Sequence, residues 1–160
     1  MQFLTPDECN GWLASRWQPD LDRSKRRAVL PYSTTPSRLH VISRWIASSL
    51  SHDSPVLLWV TASDIGVSNW HLYYRLRESY GDRRLIDDAP SHLCLNYETE
   101  DLATFIYLTM LNGWDALLIP ELDYVSLAFS HDGFIDVFSE NDELVEDVRK
   151  NASDDRPRAS

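Results

Sequence analysis

The sequence predicts one domain that mixes helices and strands, α/β or α+β, with a mixed β-sheet that includes a C-terminal β-hairpin and is packed by four to five helices. Apolar residues recur at helical spacing, as in Leu39, Ile42, Ile46 and Leu50. Short apolar runs of strand length stand between the helical stripes, above all Val56-Leu57-Leu58-Trp59-Val60. The 160 residues hold no internal repeat and no linker, so a single core accounts for them. Residues 1–150 are read as the globular domain. Residues 151–160, polar and carrying Pro157, are read as a disordered tail.

Thr5-Pro6-Asp7-Glu8 is a helix start: a capping hydroxyl, proline at the first helical position and two acids at the positive end of the dipole. That helix is expected to reach about Arg16. Ala28-Val29-Leu30 is a short strand ended by Pro31. Thr35-Pro36 repeats the start signal ahead of the Leu39-to-Leu50 stripe, beside which stand Val41 and Trp45. The run 55–60 reads as a strand buried on both faces. Residues 67–80 place Trp70, Tyr73, Leu76 and Tyr80 on one helical face and Arg75, Arg77 and Glu78 on the other, with Gly81 as the stop. Short strands are expected at 85–88 and 92–95. Thr99 caps a helix through Leu102, Phe105, Ile106 and Met110 that Gly113 ends. Residues 115–119 are strand-like. Alternation in 125–129 and 134–138 around His131-Asp132-Gly133 gives the hairpin, and 142–150 an acidic helix packing through Leu144, Val145 and Val148.

Charge is segregated along this chain. Leu85 to Val148 contains no Lys or Arg and fifteen Asp and Glu, within an overall formal charge of −10. Such a region attracts a cationic partner and repels phosphate. Lys25-Arg26-Arg27 with Arg23 is the one basic run, read as a solvated loop, and nucleic acid is not expected as a partner. Cys9 and Cys94 are isolated, so neither a disulfide framework nor a zinc site is expected. No apolar run approaches the roughly 18 residues of a membrane span. The N-terminal segment lacks the pattern of a secretion signal, and a cytoplasmic location is expected.

Catalytic signatures are scarce. The five glycines are isolated, so neither a dinucleotide fingerprint nor a P-loop can be written, and no nucleophile elbow is present. No cofactor, metal or catalytic residue is therefore assigned. His71 and His92 make no metal-ligand spacing. The best local cluster is Ser130-His131-Asp132, joined in space by Asp136, Asp123 and Glu121 if the fold permits; the hairpin turn is the better explanation of His131 and Asp132. The rings from Trp59 through Tyr80, among them Trp70, Tyr73 and Tyr74, suit a core or an interface.

The block from Trp70 to Arg77, Ser79 to Asp82, the helix from Asp101 to Trp114 and the Ser130-His131-Asp132 turn resemble, over about residues 55–140, a group of small bacterial proteins without an assigned activity. In size and charge the chain is similar to immunity proteins of polymorphic toxin systems. That resemblance implies a non-catalytic binding protein that neutralises a cognate toxin domain, and carries over no functional residue. Contacts for a cationic protein are then expected among Glu98, Glu100, Asp101, Asp115, Glu121, Asp123, Asp136, Glu140, Asp142 and Glu143, with Tyr124 or Tyr97 as aromatic anchor. The alternatives are a small enzyme centred on His131 and Asp132, or a regulatory adaptor subunit. The sequence leaves oligomeric state open.

Overall fold

The computed structural model describes residues 1–15, 27–32, 35–52, 54–63, 69–121, 125–139 and 141–152. Strand β1 (Gln2–Leu4) leads into α1 (Pro6–Ala14), whose Thr5 hydroxyl accepts from the Glu8 N–H while the Glu8 carboxylate accepts from the Thr5 N–H. This reciprocal cap satisfies two otherwise orphaned donors. Strand β2 (Ala28–Pro31), α2 (Pro36–Leu50), β3 (Val56–Ala62), α3 (Trp70–Ser79) and β4 (Ser91–Cys94) follow. Then come α4 (Thr99–Asn112), β5 (Asp115–Pro120), β6 (Val125–Ser130), β7 (Phe134–Ser139) and α5 (Asp142–Ala152).

The seven strands form one sheet in the order β1-β4-β3-β5-β6-β7-β2. Every neighbouring pair is antiparallel, which corrects the mixed sheet expected from the helix–strand rhythm. The physical reason is strand insertion. Strands β4 and β5, joined through α4, run in the same direction, but β3 lies between them and pairs with both. A strand–helix–strand rhythm predicts parallel neighbours only when nothing occupies the gap.

The two sheet faces bury different side chains, as the two-residue period of a strand requires. Val56, Leu58 and Val60 of β3 join the main core with Leu39, Ile42 and Ile46 of α2, Leu102, Phe105 and Ile106 of α4, and Val145 and Val148 of α5. Leu57 points to the opposite face, where Leu4, Leu93, Ile119 and Cys9 form a second cluster. Burying each such aliphatic side chain contributes about 1.5–3 kcal/mol, and truncating Ile106 to alanine would cost about 2–5 kcal/mol. Gly113 ends α4 at φ +62°, with Trp114 N–H reaching back to Thr109 O at 3.0 Å, the hydrogen bond of a Schellman stop.

Several boundaries depart from expectation. Residues 86–88 form a turn, not a strand, because Asp88 N–H and Ala89 N–H both return to Leu85 O. Glu98, not Thr99, occupies the N-cap of α4, and the Thr99 hydroxyl instead donates to Asn96 O. Thr35 caps α2 without a side-chain hydrogen bond. Asn151 and Ala152, placed in the tail, belong to α5; 153–160 lie outside the described residues, as do Arg23, Lys25 and Arg26. Val41 stands exposed beside the buried stripe of α2.

Candidate functional site

Strand pairing brings most of the candidate acids to one end of the sheet. Cys94 at the end of β4 and Pro120 at the end of β5 both face Val56 at the start of β3, while Ser139 at the end of β7 faces Val125 at the start of β6. Helices α4 and α5 begin just beyond β4 and β7. Glu98, Glu100, Asp101, Glu121, Asp142 and Glu143 therefore stand at this rim. The acids in the first turns of α4 and α5 also complement the positive ends of two helix dipoles. Asp115 opens β5 at the far end, and Asp136 lies within β7. Asp123, Tyr124 and Glu140 fall outside the described residues.

The fold supplies some of the counter-charges that the acidic stretch lacks. Arg44 of α2 reaches Glu100 at 2.5 Å, and Arg27 pairs with Asp142. Glu98 is committed internally: its carboxylate accepts from Leu95 N–H at 2.8 Å, pairs with the Met1 ammonium and is only 10% exposed. The pKa of the Tyr80 phenol is raised by burial and then by the Asp101 carboxylate. Glu146 pairs with Arg149 at 2.9 Å. Exposed Glu143 and Asp147 have carboxylates with no partner among the described residues. Exposed pairs of this kind contribute at most about 1 kcal/mol each, so they tune the potential of the rim more than they hold the fold. Tyr97, 78% exposed, projects from the turn between β4 and α4 at the same rim.

The His131 cluster differs from its expected membership. Asp115 joins it: His131 N–H donates to Asp115 Oδ1 at 2.7 Å, and His131 Nδ1 lies 2.9 Å from that oxygen. Glu121 is at the other end of β5, and Asp136 is not among the ring's partners. Hydrogen bonding to Asp115 raises the His131 pKa, with Asp132, 3.5 Å from Nε2, adding to the effect. The pair can hold a proton at Nε2, and it fastens the β6–β7 turn to the start of β5. Among the described residues no three His, Cys, Asp or Glu side chains gather as a metal site.

A buried polar chain escaped the sequence reading. Arg77, expected on the outer side of α3, is fully buried. Its Nη1 donates to Tyr73 Oη at 2.9 Å and to Ala89 O at 3.2 Å, and its Nη2 donates to Asp82 at 3.1 Å. The guanidinium also lies 4.5 Å from the centroid of the Phe3 ring. Tyr73 Oη meets His92 Nε2 at 2.8 Å, and His92 Nδ1 meets Leu58 O at 3.2 Å. One proton pattern satisfies all of these: Arg77 donates to Tyr73, Tyr73 to His92 Nε2, and His92 Nδ1–H to the carbonyl. Arg84 completes the set, donating to Asp82 Oδ2 through Nε at 2.9 Å and to Phe3 O at 2.7 Å. The chain locks α3, β1, β3 and β4 together; its fourfold spacing, Tyr73 to Arg77, was the available signal.

No protein-family model matches this sequence, and no curated protein or solved structure is similar to it. Among the described residues no helix is long and apolar enough to cross a membrane.

Proposed function

We propose that this chain is a non-catalytic binding protein that takes a cationic protein at the acidic end of its sheet, as a bacterial immunity protein does when it neutralises a cognate toxin. The observation that supports it is topological: the ends of β4, β5 and β7 and the starts of α4 and α5 converge on one rim. Glu143 gives that rim exposed negative charge, Asp147 extends it one turn further along the same surface of α5, and Tyr97 gives the rim an exposed aromatic ring. Clustered negative charge of this kind speeds encounter with a positive surface, and an aromatic anchor slows departure. A toxin with a cationic substrate groove would be met and covered in one event. The reading sets the protein in the bacterial cytoplasm, where buried, free Cys9 and Cys94 stay reduced.

The test is affinity purification from the native cell with wild type and with a Glu143→Lys, Asp147→Lys double variant. A basic protein recovered with wild type and depleted with the variant is the expected result. Equal recovery would count against the rim. A second reading, a small enzyme centred on His131, draws on the Asp115–His131 hydrogen bond; it requires a turnover that His131→Ala abolishes.

A further inference from the structure

At the end of the sheet opposite the acidic rim, β3 outruns its neighbour. The last β3–β4 pair is Trp59 with Ser91, yet β3 continues to Ala62, and its register with β5 shifts between Val60 and Ala62. A bulge of this kind redirects side chains at a strand end. Beside the overhang lies an open cleft of about 520 Å³, lined by Trp59, Thr61, Ser63, Asp87 and Pro90 with the backbone between them.

The facing wall is held rigid. Asp88 N–H and Ala89 N–H return to Leu85 O at 3.1 and 3.2 Å, and Ile86 N–H donates to the Tyr74 hydroxyl at 3.1 Å. Val60 N–H donates to Pro90 O at 3.1 Å, and buried Arg77 holds Ala89 O. Exposed Asp87 sits in the middle of this braced turn. Half-buried Trp59, which packs against the Leu57 cluster, lines the same cleft. Ordered walls spare a ligand the cost of fixing them.

The described lining residues offer one carboxylate, one indole and two hydroxyls, with no Lys, Arg or His among them. Among the described lining residues the one formal charge is negative, which disfavours an anion. A planar or tetrahedral cation gains both a charge-assisted hydrogen bond and an aromatic face. We propose that this cleft binds an alkylguanidinium or alkylammonium group, with Asp87 as its counter-charge and Trp59 as its aromatic surface. The proposal stands apart from the rim reading, since it concerns the other end of the sheet and needs no toxin.

The test is a titration of the full chain, labelled with nitrogen-15, with methylguanidinium at constant ionic strength. Saturable shifts at the Thr61, Ala62 and Asp87 amides are expected. The neutral isostere N-methylurea should produce none. Asp87→Asn should weaken binding about tenfold, the scale of a lost charge-assisted hydrogen bond. Asp132→Asn, which removes the same unit charge at the same end of the sheet, should leave it within about twofold. Spectral dispersion in each variant reports folding directly. Trp59→Phe, which keeps a ring, provides a second variant and should weaken binding less than Asp87→Asn. Binding of a capped Gly-Arg-Gly peptide tighter than that of methylguanidinium would assign the cation to a protein side chain, and equal affinity to a free small molecule. Shifts that never saturate, equal binding of N-methylurea, or equal effects of Asp87→Asn and Asp132→Asn would overturn the proposal.

Discussion

Arg77 donates to the hydroxyl of Tyr73, four residues earlier on the same helix, at 2.9 Å and out of reach of solvent. A charge in that position is tolerable because Asp82 balances it and the rings of Phe3 and Tyr73 face it.

Removing that charge leaves Asp82, Tyr73 and Ala89 O each short of a donor. Arg77→Met is expected to destabilise the fold by about 3–5 kcal/mol, the usual cost of breaking a buried pair. Arg77→Lys should rescue little, because an ammonium lacks the planar fork that reaches these acceptors together. Urea denaturation measures both; a loss below about 1 kcal/mol for Arg77→Met would contradict the assigned network.

His92 sets an acid limit. Burial, and then the Arg77 charge, push its pKa down to about 3 from 6.5. The unfolded chain therefore binds a proton that the folded chain refuses between those values. Stability is full above about pH 6.5 and falls toward pH 3, by at most about 1.4 kcal/mol per pH unit from this group. Urea midpoints between about pH 7 and about pH 4 should decline in wild type and decline less steeply in His92→Asn. Parallel curves would contradict a neutral buried ring.

His131 acts with the opposite sign. Asp115 raises its pKa above 6.5, so its contribution is present below the unfolded value and is lost as pH rises through the folded one. In Asp115→Asn the His131 pKa, followed by nuclear magnetic resonance, should drop toward the ordinary histidine value. An unchanged value would dissociate the two residues.

What the sequence revealed and what it hid follow from range. The stripe Leu39, Ile42, Ile46 and Leu50, the apolar strand 56–60 and the Gly113 stop are local patterns, and each appears where the spacing places it. Strand β1 has three residues and no pattern of its own; it exists because Gln2, Phe3 and Leu4 find Leu93, His92 and Ser91. The antiparallel sheet was hidden because β3 enters between strands joined elsewhere in the chain. Arg77 was hidden by its charge, although its spacing from Tyr73 put it on the buried face. At the rim, the carboxylates could be listed from sequence, but Arg27 meets Asp142 across 115 residues and Arg44 meets Glu100 across 56. No spacing rule reports such pairs.

The central claim is that exposed charge at the rim steers a cationic partner. Its most direct test is the association rate of the basic protein recovered from native cells, measured by stopped flow as salt rises from about 0.02 to about 0.15 M, where the Debye length falls to about 8 Å. The rate should drop about tenfold or more over that range, and Glu143→Lys with Asp147→Lys should lower the low-salt rate toward the high-salt one. An association rate indifferent to salt and to those two substitutions would contradict the account.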